Sequence, residues 1–459
     1  VLSIGADADL KITHDGSNGD FESAGNLTFD VAGNIVLDAT DSISTTTAGT
    51  NNVKLGANAG NSIVSGGNQN TVIGDEAGTA ITTGIENVLV GYQAGDALTD
   101  ADFNVAVGRA SLSTDTKGSK STAIGQGTLN TQNFTTATDS HNTAVGFFAG
   151  LSMTTGEQNT LIGSLAGDAI TDADGNVAVG YASLTTNVLG SDSVAIGKNA
   201  LNAQNPATAV SMLNVAVGKN AGEAVTTGTE NTLIGGIAGD ALTTGTGNTA
   251  LGYSSLTTDT LGSKSTAVGR SALATQNFTT ATDSNNTAVG YQAGVAVTTG
   301  TDNTFIGTQA GVAVTDGNTN TALGSLALFT NTRGDRNTAI GHESLKAMIS
   351  TTDADIYNTA VGYQSGKAVT TGEQNTLVGG LAGDALTDAD RNVAVGYDAM
   401  SQNTIGSESV AVGAFALNAQ NPTGATNMYN VAVGHNTGAA ITTGVQNTLI
   451  GALAGDALN

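Results

Sequence analysis

Three sets of side chains have the types and spacing to do chemistry. Aspartates two residues apart recur at Asp100 and Asp102, Asp172 and Asp174, and Asp388 and Asp390, with Asp316 alone at the equivalent place. Oxygen ligands so spaced suit Ca²⁺ held at a loop. An Asx turn with solvated carboxylates is the favoured reading, because the nonapeptide repeat of Ca²⁺-binding solenoids is missing and one equivalent stretch, Thr243-Thr244-Gly245, has no acidic pair. A threonine column (Thr82, Thr99, Thr116; Thr226, Thr243, Thr260) resembles a regular ice-binding array. It is broken by Asn133, Asn205, Asn277 and Asn421 and sits mostly in Thr-Thr-Gly or Thr-Asp turns, which argues against that use. His14, His141, His342 and His435 show no metal-ligand or triad spacing, and the glycine-rich phrases do not open helices as a nucleotide loop would. The expectation is a non-enzyme with no catalytic residue and no cofactor, Ca²⁺ at the aspartate pairs being the minor alternative.

What positions these residues is a repeat. A phrase, Asn/Ser-Thr/Val-x-Val/Ile/Leu-Gly, places its glycine at 74, 91, 108, 125, then 146, 163, 180, 197, and so on to 434 and 451. The steps are 17, 17, 17 and 21 residues, a super-repeat of 72, and the 22 phrases between Asn70 and Gly451 never slip. The residue before the glycine is always aliphatic (Ile73, Val90, Val107, Ile124, Val145) and the residue two earlier is Thr or Val (Thr71, Val88, Val105, Thr122, Thr143). Those two positions share one face of an extended strand, and β-branched residues favour strand. They are expected to face the interior. Between them stands Ala in most rungs, but a large residue in the second rung of each set of four: Leu89, Leu161, Leu233, Phe305, Leu377, Leu449. After the glycine, first and second rungs place an aliphatic residue seven on (Ile81, Leu98) and third and fourth rungs four on (Leu112, Leu129).

The first position is Asn in 18 of the 22 phrases and Ser in Ser121, Ser193, Ser265 and Ser409. Asn142, Asn214, Asn286, Asn358 and Asn430 are therefore candidates for a hydrogen-bonded ladder along a stack of strands, the alternative being that Asn only suits the local turn. A 17-residue coil cannot bury its own face, so stacking is required. The fold class is all-β: a parallel β-solenoid (β-roll or β-helix) of 17- and 21-residue coils, residues 56–459, on the order of 100 Å long at about 4.8 Å per rung. Four-residue insertions before Gly146, Gly218, Gly290, Gly362 and Gly434 predict an exposed bulge every fourth rung, about 19 Å apart.

Composition agrees. Of 459 residues, aromatics are 4%, Gly is 63, Pro is 2, and Cys and Trp are absent, so the interior is built from small and β-branched residues. Hydrophobic content of 39% with 12% charge excludes a chain kept unfolded by its charge. A formal net charge of −25, 14 basic against 39 acidic residues, excludes a nucleic-acid groove. No apolar run reaches the roughly 18 residues a membrane span requires. Residues 1–55 are of another type: Leu10 to Ile12, Asn26 to Phe29 and Asn34 to Leu37, separated by turn residues, read as a β-structured N-terminal module. A degenerate phrase, Asn52 to Gly56, marks the changeover. Opening on Val1 and ending inside a coil at Asn459, the chain is expected to be a piece of a longer or processed one, capped by another domain or chain.

The phrase Asn142 to Gly146 followed by Phe-Phe-Ala-Gly, and Asn286 to Gly290 followed by Tyr-Gln-Ala-Gly, resembles the head repeats of trimeric autotransporter adhesins and related repeats of bacteriophage tail fibres. Ala8 to Asn18, with Gly25-Asn-Leu and Gly33-Asn-Ile, is similar to a module of tail-fibre-like proteins of marine phages. The resemblance implies a homotrimeric fibre: an extracellular virion appendage that spans distance and supports attachment to a host-surface receptor. Further virion or fibre proteins would join both ends, with no nucleic-acid partner and no membrane insertion. The alternative is a bacterial cell-surface adhesin or extracellular filament built from the same repeat.

Overall fold

The chain divides into two units, residues 1–43 and Ser44–Asn459. The computed structural model describes residues 49–350 and 352–459, so the turn-separated segments of the N-terminal module lie outside the described residues. From residue 49 the chain is a parallel β-solenoid. Every phrase forms a three-residue strand, and the 23 strands, from Val53–Leu55 to Thr448–Ile450, make one sheet. Each pairs in parallel with the strand before and the strand after it in sequence, in unbroken register: Thr71 with Val88, Val88 with Val105, Val105 with Thr122 and onward. The degenerate phrase supplies the first strand, with Val53 beside Thr71.

The coil turns where it does because the phrase glycine can. Gly252 sits at φ +141°, and a Cβ there would lie 2.6 Å from the carbonyl oxygen of Gly269 one rung on. An L side chain fails on conformation and on space together. Other positions in each coil take a left-handed turn without glycine, for example Glu86 and Gln93 at φ 55° and 54°. Each such residue costs about 1–2 kcal/mol, and these two donate their N–H groups to the rung below, Glu86 to Asn68 O and Gln93 to Asp75 O. The strain is thus held in place by the stack.

The strand face inverts the sequence expectation. The middle residue, not the flanking pair, points inward: Leu89, Ala106, Ala123, Ala144, Leu161 and Phe305 are fully buried, while the β-branched neighbours are half-buried or exposed. A coil of 17 residues encloses too little room for a β-branched pair on every rung. Alanine fits, and one Leu or Phe every fourth rung fills the remaining space, each worth about 2 kcal/mol when fully buried. The post-glycine aliphatics complete the core as expected, with Ile81, Leu98, Leu112 and Leu129 at 0% exposure.

The insertions are partly structured. Each adds a two-residue parallel strand pair to the fourth rung: Gly118–Ser119 with Thr138–Asp139, Gly190–Ser191 with Val210–Ser211, and likewise in the three later sets. Their tips, such as 135–137 and 207–210, are exposed, whereas Phe134, Pro206, Phe278 and Pro422 tuck inside.

Candidate functional site

The asparagines stack as a buried column. In each set the Oδ1 of the first-rung Asn accepts the backbone N–H of the next rung's Asn: Asn142 from Asn159 at 2.9 Å, Asn214 from Asn231 at 3.0 Å, Asn286 from Asn303 at 2.9 Å, Asn358 from Asn375 at 2.9 Å and Asn430 from Asn447 at 3.0 Å. Their Nδ2 groups donate to Gly156, Gly228, Gly300, Gly372 and Gly444 carbonyls, all at 2.7 Å. One side chain thereby closes a donor and an acceptor that stacking buries, which is why its place is so narrowly filled.

Where the column changes to serine, the insertion completes it. Asn142 Nδ2 also donates to Gln132 Oε1 at 2.9 Å, and Gln132 Nε2 donates to Ser121 Oγ at 2.9 Å and to Asp115 Oδ2 at 2.6 Å. Gln204, Gln276 and Gln420 bridge the same way to Asn214, Asn286 and Asn430. The fourth set breaks the pattern consistently. Asn337 stands in place of Ser and itself accepts from Asn358 N–H at 3.2 Å, and Met348 stands in place of Gln.

The aspartate pairs bond the turn. Asp100, Asp172 and Asp388 accept from the hydroxyls of Thr99, Thr171 and Thr387, and Asp102, Asp174 and Asp390 accept backbone N–H groups one rung below, from Ile85, Glu157 and Glu373. Asp316 accepts from Thr315 and pairs with Arg333 at 3.2 Å. Among the described residues no group of three or more His, Asp or Glu gathers in a metal-holding arrangement. The threonine column donates to the next rung's backbone, Thr82 to Thr99 O and Thr99 to Thr116 O, so its hydroxyls are not presented as an array. His141 is exposed, His342 stacks on Tyr363 and His435 meets the ring edge of Phe415; His14 lies outside the described residues.

Two outward features escaped the sequence reading. The first is the outer sheet face, an aliphatic column with Ile124, Ile162, Leu251 and Leu323 exposed, beside a Thr/Val column. From Thr232 through Thr376 the second column is threonine on nine consecutive rungs. The second feature is the residue just after each phrase glycine. Tyr92, Tyr181, Tyr253, Tyr291, Tyr363 and Tyr397 occupy it with rings exposed, interspersed with Arg109, Lys198, Lys219 and Arg270. Lys198 lies 5.7 Å over the Tyr181 ring and Arg270 5.9 Å over that of Tyr253.

Several carboxylates are perturbed. Burial pushes Asp259 above the usual carboxylate range against the hydrogen bonds from Gln276 and the Gly262 N–H, and it pushes Asp96, Asp168 and Asp384 up as well. Glu343 is held down at about 2 by Lys346 and Lys367, with Gln364 adding a hydrogen bond. Among the described residues no helix is long and apolar enough to cross a membrane.

A continuous core shared by successive rungs, with polar columns running along it, defines a β-solenoid repeat protein. The chain matches no family model and no curated protein sequence.

Proposed function

We propose that this chain is the shaft of an extracellular fibre, a virion appendage of the tail-fibre kind, which spans distance and supports attachment to a host surface. The observation that carries the reading is the unbroken register of 23 strands: every rung depends on its neighbours, and the product is length. The tail-fibre assignment rests on the sequence resemblance, including the Ala8 to Asn18 motif. A cell-surface adhesin is the alternative built on the same repeat.

The shaft is proposed to be a homotrimer joined through the outer sheet face. Strands of three residues are about 10 Å long and stack at about 4.8 Å, so the face offers on the order of 1,000 Å² per copy. That exceeds the roughly 800 Å² per partner of a standard stable interface. Mass measurement of the purified chain at micromolar concentration is expected to give three copies, and a lone monomer would refute the assembly. Antibodies against residues 56–459 are expected to label virion particles. Labelling of a bacterial envelope with particles bare would favour the adhesin.

A further inference from the structure

We propose that the tyrosine and cation column following the phrase glycines is a binding track for an acidic polysaccharide lying along the rod. The column is rigid. Each of its residues offers its carbonyl to the next rung, as Tyr181 does to the N–H of Asn199, Lys198 to Asn220 and Tyr253 to Ser271. The backbone that carries its ring faces is therefore fixed, with more than half of the residue exposed at Tyr181, Tyr253 and Tyr397, at 52%, 56% and 52%. Such faces stack on the C–H faces of sugar rings, an apolar contact with a polar rim.

The charge distribution selects the acid. Among the described residues, Lys117, Lys120, Lys264, Arg333, Arg336, Lys346, Lys367 and Arg391 are all ion-paired with carboxylates. Apart from Lys54, the cations without a carboxylate partner among the described residues are Arg109, Lys198, Lys219 and Arg270, all in this one column. From Arg109 to Leu326, neither this column nor the one formed by the next residue of each coil, Ala110 to Leu326, contains an Asp or Glu. The carboxylate touching that strip is Glu223, through Asn199 Nδ2 at 3.3 Å. In a chain of net charge −25, this is a positive stripe kept clear of its own acids.

Charge density separates a glycan from a nucleic acid. Arg109 to Arg270 spans nine rung steps, about 43 Å at about 4.8 Å each, and holds four cations. Duplex DNA carries a charge about every 1.7 Å, and the protein's net negative charge repels so dense a polyanion. A sparsely charged acidic glycan fits, and the rung rise is close to the length one sugar adds to an extended chain.

The test is affinity electrophoresis of the full chain through gels containing polygalacturonate, its neutral methyl ester, heparin or duplex DNA. Polygalacturonate is expected to retard the protein most, and the paired variants Tyr181→Ala/Tyr253→Ala and Lys198→Gln/Arg270→Gln each to weaken retention about tenfold, worth about 1.4 kcal/mol. Lys117→Gln, whose partner is Asp100, is expected to leave retention unchanged. Circular dichroism checks the fold, and the Lys/Arg pair carries the test if the tyrosine pair unfolds. The proposal is overturned if polygalacturonate gives no retardation, if the Lys/Arg pair is retained as well as wild type, or if the methyl ester, heparin or DNA is bound as tightly as the acid. A monomeric rod carries the same column, so failure to trimerise leaves this inference standing, and failure to bind leaves the shaft reading standing.

Discussion

The asparagine column and the five insertions meet the same demand, buried backbone at a rung junction, in opposite ways. The column repeats one residue. The insertions use different sets at equal length. In the first and third sets, Asp115 and Asp259 receive Gln132 and Gln276, each at 2.6 Å, and Asp115 also accepts the N–H of Phe134 at 3.1 Å. In the second and fifth, Pro206 and Pro422 replace Phe and have no N–H to satisfy. There the acid becomes Asn187 or Asn403, which closes on Gly190 or Gly406 within its own turn. The serine bonded to Ser121 at 2.6 Å, Ser140, becomes the buried Met212. The lesson is that a rung junction fixes which atoms must be satisfied; only where the chain has slack can more than one set of side chains do it.

The largest effect is expected in the column. Asn231→Ala removes the acceptor of Asn248 N–H and the donor to Gly245 O, leaving two buried groups unpaired at about 1–3 kcal/mol each. A loss of about 3–5 kcal/mol in urea unfolding is the outcome; under 1 kcal/mol would mean that water replaces the side chain. In the insertions, Met212→Ser alone should cost about 2–4 kcal/mol by leaving a cavity. The combined change Asn187→Asp, Pro206→Phe and Met212→Ser should recover most of that, and simple additivity would show that the sets are not units.

Smaller and pH-dependent effects separate the acidic set from the neutral one. Asp259 is raised in the folded state, so its charged form is penalised at neutral pH and the penalty is relieved as pH falls through its raised value toward the ordinary 3.8. Asp259→Asn should flatten that part of the stability profile in thermal melts, and an unchanged profile would dismiss the acid as its source. Glu343 is the opposite case. Lowered to about 2, it contributes stability present above its ordinary 4.5 and lost as pH falls toward 2, and Glu343→Gln should abolish that loss. The smallest effect belongs to the exposed Lys264–Asp283 pair at 2.6 Å, where Lys264→Gln should cost under about 1 kcal/mol and less in high salt.

The solenoid was legible because the glycine spacing and the alternating strand pattern are backbone demands written directly in residue types. The strand's facing was not. Val107 and Ile124 carry the preference for burial that usually marks a core, but Ala106 and Ala123 take the inside because the coil is thin, and volume is a property of the closed turn. The glutamine junction could have been found: Gln132, Gln204, Gln276 and Gln420 each follow their phrase glycine by seven residues, and the one Met, Met348, accompanies the one fourth-rung Asn, Asn337. The tyrosine and cation column was visible as residues but not as a surface, since only the ion pairs formed elsewhere show which cations stay unspent.

The in-register junction between a fourth rung and the following first rung recurs from set to set. A whole set of 72 residues can thus be duplicated or excised with like ends meeting like, changing the span by about 19 Å a step. Solenoid length is in this way quantised in sets, each keeping the strand register across its ends.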